Sequence, residues 1–136
     1  MALCDQIVGV KNILLKFTNC ETGEVIGPIA HELSKEDLPK WRTHAYKSEM
    51  LPGGYVKKHH ISAACEMDIR RDLRVSLEDY QGRSAIEFQV EYENGLVYTG
   101  ASGGIEGDEK SDTHEVMLRM SCKVIEELRP PGAFGS

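Results

Sequence analysis

Apolar and polar residues alternate with a period of two through most of this chain. The clearest run puts Ile61, Ala63, Cys65, Met67 and Ile69 on one side and Ser62, Ala64, Glu66, Asp68 and Arg70 on the other. Side chains of a strand point alternately to opposite faces, so the pattern predicts a strand with one buried face. Leu73, Val75 and Leu77 keep the parity, which extends the expected strand past a bend at Arg70-Arg71-Asp72. Glu78 to Gly82 reads as a turn. A second alternation follows, with Ile86, Phe88, Val90 and Tyr92 inward and Glu87, Gln89 and Glu91 outward.

Asn94-Gly95 then separates two strand-like runs. Asn-Gly suits a two-residue hairpin turn, whose central residues both need positive φ. With that pair at the tip, Glu93 faces Leu96, Tyr92 faces Val97 and Glu91 faces Tyr98. The register places Leu96 and Tyr98 on the same face as Glu87, Gln89 and Glu91. An aromatic and a leucine on an acidic face point to cover from a second subunit.

Val10 to Thr18 and Glu24 to Leu33 predict an N-terminal hairpin, with Gly27-Pro28 marking a bulge or an edge strand. Residues 34–55 read as a long excursion holding one short helix. Ser34 is a candidate N-cap, and Glu36 and Asp37 would lie in the first turn. Pro39 moves the helix start to Asp37 or Leu38, which puts Trp41, Ala45 and Ser48 on one side. Leu51-Pro52-Gly53-Gly54 ends the excursion. Gly100 to Asp112 reads as a glycine-rich acidic loop. Thr113 to Ile125 alternates again as a strand, although Met117, Met120, Val124 and Leu128 also fit a helical stripe. Residues 126–136 read as a polar tail. The expected fold is mainly β: an antiparallel β-sandwich or half-barrel, one domain over residues 1–136.

The chain's 136 residues are enough for a sizeable core. Its 16 basic and 22 acidic residues leave a net charge of -6, which argues against a protein that grips nucleic acid. An acidic wall would instead let DNA pass without holding it. No apolar run approaches the ~20 residues of a membrane-spanning helix. The N-terminus shows no secretory signal, so synthesis in a cytoplasm is expected.

Candidate chemistry is sparse. The four cysteines, Cys4, Cys20, Cys65 and Cys122, form no C-x-x-C pair. Cys65 and Cys122 fall on apolar faces, where thiols are inert. His59-His60 invites a metal site with Cys65 or Glu66, but neighbours in a strand point apart. Gly103, Gly104, Gly107, Lys110 and Ser111 do not make a phosphate loop, because Asp108 and Glu109 stand before the lysine. No carboxylate pair sits in an apolar pocket. The sequence therefore implies no enzyme, no metal and no cofactor. Cys4 and Cys20, near the terminus and in a hairpin loop, are candidates for a disulfide between subunits.

The stretch from Ala85 to Leu128, with Tyr92-Glu-Asn-Gly-Leu-Val-Tyr-Thr-Gly-Ala101 at its heart, resembles bacteriophage tail tube proteins. In those, a strand, an N-G-x-x-Y-T-G turn, a loop and a final strand recur near the C-terminus. The resemblance implies a structural virion subunit whose hexameric rings stack into a tail tube for DNA ejection, within a tail sheath if the tail is contractile. It implies a lumen lined by Glu66, Asp68, Glu87, Gln89 and Glu91. It also implies subunit contacts through Leu96, Tyr98, Trp41, Tyr46, Leu51 and Tyr55. The partner would be the protein itself, DNA would pass without specific binding, and no membrane is involved. The other classes open to this sequence are a small β-sandwich binding or adaptor module and a secreted tube-like protein.

Overall fold

A computed structural model describes residues 9–34, 38–110 and 114–131. Its strands are β1 (Val10–Asn19), β2 (Val25–His31), β3 (Lys40–Arg42), β4 (Ala45–Met50), β5 (Val56–Arg70), β6 (Ser84–Tyr92), β7 (Val97–Lys110) and β8 (Glu115–Arg129), with one helical turn, α1 (Leu77–Tyr80). The strands form a single antiparallel 8-stranded sheet in the order β2-β1-β6-β7-β8-β5-β3, with β4 also paired to β5. The fold is mainly β, as the alternation predicts.

A sheet with one apolar face and no second layer must curl to bury that face. The curl is visible where the chain leaves β2. Leu33 bridges Ile69 of β5, Ser34 N–H donates to Asp68 O at 3.0 Å, and Arg70 N–H donates to Glu32 O at 2.9 Å. The enclosed core holds Ile13, Leu15 and Phe17 of β1, Ile86, Phe88 and Val90 of β6, Met67 and Ile69 of β5, and Leu118 and Met120 of β8.

The inward parity does not run the whole length of β5. Ala63, Cys65, Met67 and Ile69 are buried, but beyond them it is His60 that is buried and Ile61 that is half-exposed. Ser62, between them, has φ 53. On β8 the buried set changes likewise, from Cys122 to Ile125 and Glu127, while the pairing register stays continuous. The two strands turn together, and the sheet presents its other face to the core.

Several expectations need correction. The hairpin loop contains three residues, Glu93-Asn94-Gly95, with Tyr92 N–H donating to Leu96 O at 2.8 Å and Gly95 N–H donating to Tyr92 O at 2.9 Å. Gly95 takes φ 90, and Asn94 Oδ1 accepts from Leu96 N–H, so the glycine ends a turn rather than sharing its centre. Val90 therefore pairs with Tyr98, and Glu91 with Val97. This is one residue off the expected register, and a one-residue slip moves every side chain to the other face. Leu96 and Tyr98 point to the core, not to the acidic face.

No α-helix occupies the described part of the excursion, which holds only a 3₁₀ turn at Pro52–Gly54. Glu36 and Asp37 lie outside the described residues, Trp41 is in β3, and Ala45 and Ser48 are in β4. The unpaired edge of β5 offers hydrogen bonds along its length, and both short strands take them. The helical turn lies instead at residues 77–80, where a plain turn was expected. The strand expected to continue through Leu73, Val75 and Leu77 stops at Arg70. Residues 100–110, expected as loop, pair with β8, and two register shifts about Ser102 absorb the misfit. The tail begins later than expected, because residues 126–129 belong to β8 and Glu127 is buried.

Candidate assembly surface

Past Ser62 the sheet continues through β4, the first residues of β5, the last of β8 and the first of β7, and ends in an arm at β4. A 3₁₀ turn at Pro52–Gly54, with both glycines at positive φ, joins β4 to β5. Among the described residues, β4 has no strand on its far side. Tyr46 is 72% and Met50 74% exposed on it, and Tyr55 stands partly exposed at the turn. Leu51 is half-buried there.

Charged groups hold the arm together. On one face Lys57 meets Glu126 at 3.1 Å, and His59 meets Glu49 at 3.2 Å and Glu126 at 3.5 Å. The hydrogen bond with His59 lowers the Glu49 carboxyl below its ordinary value. On the other face, buried His60 lies 2.8 Å from Glu127, which also accepts from Arg129. Burial pushes the Glu127 carboxyl up, but its bonds with Arg129 and His60 outweigh that and leave it lowered.

Trp41 and Tyr98, both expected at a subunit contact, cover each other within one chain. Their rings stack at 4.1 Å and 16°, and the Trp41 indole N–H donates to the Tyr92 hydroxyl at 2.8 Å. Phe88 lies beneath at 5.8 Å. Burial raises the hydroxyls of Tyr92 and Tyr98. Leu96 is buried as well. Of the expected contact residues, Tyr46 and Tyr55 are the exposed ones, and Met50 joins them unforeseen. Reading β4 as a strand would have exposed Met50, because 46, 48 and 50 share a parity.

Glu66, Asp68, Glu87, Gln89 and Glu91 point away from the core, as the alternation predicts. The face they share is not an acidic wall. Lys16 approaches Glu87 at 3.8 Å, Lys11 approaches Glu91 at 3.7 Å, and Arg119 approaches Glu66 at 3.6 Å. One row across four strands, Lys40, Glu66, Arg119 and Glu106, alternates in sign. Strand-by-strand reading shows the carboxylates but not the bases that neighbouring strands bring opposite them.

Cys65 and Cys122 are buried free thiols, and burial pushes Cys122 up to about 11 and Cys65 higher still. Cys20 is exposed in the loop between β1 and β2; Cys4 lies outside the described residues. His59 and His60 face opposite ways, toward Glu49 and Glu127 respectively. Gly103 and Gly104 lie within β7 rather than in a phosphate-binding loop. Among the described residues, no group of three or more His, Cys, Asp and Glu side chains is placed to hold a metal ion. No helix among them is long and apolar enough to cross a membrane. No family model matches this chain, and no curated protein matches it.

Proposed function

We propose that this chain is a structural subunit that assembles with copies of itself, as hexameric rings stacked into a tail tube through which DNA leaves a virion. The observation that carries this reading is the bare edge of β4, with Tyr46 and Met50 largely exposed beside it. An uncovered strand edge beside exposed apolar side chains is a ready template for another chain. The outer sheet face supports DNA passage in a different way from the one expected. Lys11, Lys16 and Arg119 lie against Glu91, Glu87 and Glu66, so these bases are engaged by carboxylates rather than free to hold phosphate. Within that reading the subunit is made in a host cytoplasm, its partners are its own copies and a surrounding sheath, and Cys20 is free to join a disulfide between subunits.

A second reading, a small binding or adaptor module, draws on one feature. A hollow of about 340 Å³ on the outer face is lined by Leu14, Pro28, Phe88 and Gly100. Electron microscopy of the purified protein over a range of salt separates the two. Rings or tubes are expected; small uniform particles under every condition would rule out the tube.

A further inference from the structure

The two open edges of the sheet differ. β2 contains Pro28, which has no N–H, and its pairing with β1 shifts register between Leu15 and Phe17. Proline and bulges keep an edge from accepting another strand. β4 has no proline from Ala45 to Met50, and its own register shift, between Ala45 and Lys47, lies at the end away from the hairpin and leaves Lys47 to Met50 regular. Its backbone phase is set at the hairpin, where Leu51 N–H donates to Tyr55 O at 2.8 Å. Antiparallel ladders alternate bonded and non-bonded pairs. Glu49 and Lys47 therefore direct their N–H and C=O groups at Lys57 and His59 of β5, and Ser48 and Met50 direct theirs outward.

We infer that the outer edge of β4 pairs antiparallel with β4 of a second copy, about a twofold axis at Ser48. In this register Ser48 faces its own counterpart, Lys47 faces Glu49 of the second copy, and Tyr46 faces Met50. Both charge pairs are opposite in sign, and the aromatic–sulfur contact is favourable. The backbone phase allows the twofold to move only by whole residues. Centred on Lys47 it sets lysine against lysine, and centred on Glu49 it sets glutamate against glutamate. Only the register at Ser48 matches charge as well as hydrogen bonds. A twofold contact closes at two copies and does not propagate, so this pairing does not rest on the tube reading; it takes the same β4 edge, and rings would then close through other surfaces.

Sedimentation equilibrium of the full chain tests the pairing with Lys47→Glu, Glu49→Lys and their equimolar mixture, circular dichroism confirming that each folds. At about 100 µM the wild type should be mainly dimer, as a dissociation constant of ~10 µM would require. Each variant alone should bind itself about tenfold more weakly or worse, since both cross-strand pairs become like-charged. Mixing the two should restore dimers, because position 47 of each then opposes position 49 of the other with opposite sign. A loss confined to one chain's own arm could not be rescued in this way. A monomeric wild type at that concentration, or a mixture no tighter than either variant, overturns the pairing. If rings form under the microscope while mixing fails to rescue, the β4 pairing falls and the tube reading stands.

Discussion

The imidazole Nε2 of His31 and the hydroxyl of Tyr80 stand 2.8 Å apart inside the core, joining the end of β2 to α1. The other ring nitrogen, Nδ1, is 2.9 Å from Ile29 O, and a carbonyl only accepts, so Nδ1 carries the proton. Nε2 then accepts from the Tyr80 hydroxyl, whose oxygen accepts from Asp72 N–H at 3.0 Å. Phe17 packs edge-on against Tyr80 at 5.0 Å. One short network thus holds the helical turn, the end of β2 and the bend after β5 in place.

Tyr80→Phe keeps the ring and removes the oxygen. It leaves a buried imidazole nitrogen and the Asp72 N–H without their partner. The expected loss is about 1–3 kcal/mol of folding stability. Urea unfolding of the two proteins side by side measures it, and a difference within ~0.5 kcal/mol would mean the network is not stabilising.

The same network predicts a pH dependence. Burial lowers His31 below its ordinary value of 6.5, outweighing the opposing bond to Ile29 O. The unfolded chain then binds this proton more readily than the folded one. The contribution is fully present above pH 6.5 and is lost as pH falls below it toward the folded value, by at most ~1.4 kcal/mol per pH unit. Urea midpoints across that range should decline for the wild type. The decline should flatten in His31→Gln; an unchanged slope would exclude His31 as its source.

Glu127 acts in a more acid window. Its carboxyl is lowered in the folded state from an ordinary 4.5, so its contribution is present above that value and fades as pH falls through the folded value. Glu127→Gln deprives buried His60 and Arg129 of a charged acceptor, at an expected cost of about 1.5–3 kcal/mol near neutral pH. The gap from wild type should narrow as pH drops below 4.5. Chemical denaturation at neutral and acid pH checks both parts, and a gap of constant size would contradict the carboxylate's role.

Gly100 is where β7 lies closest over Phe88. A Cβ there would stand 2.7 Å from Phe88 Cζ and 3.3 Å from Val124 O. Gly100→Ala must push Phe88 off its place beneath Trp41, at an expected cost of about 1–3 kcal/mol. Trp41 is the chain's one tryptophan, so its fluorescence should shift along with the thermal midpoint. A variant matching wild type in both would show that the ring has room to move.

Side-chain direction in a strand is a local property of the pleated backbone, and alternation alone determined it here. Residues 63–69 and 86–92 are strands with the predicted faces buried, the last long strand is a strand, and Gly27-Pro28 marks an edge. What depends on neighbours was decided only by tertiary structure. A single hydrogen bond from Tyr92 N–H to Leu96 O lengthened the hairpin loop by one residue and carried Leu96 and Tyr98 from the outer face to the core. The free edge of β5 drew residues 40–50 into strands where capping signals suggested a helix. Lys11, Lys16 and Arg119 came to face Glu91, Glu87 and Glu66 because pairing joined segments far apart in the chain. The bare edge of β4 is likewise a fact of strand order, since an edge exists only once every other strand has found its partner.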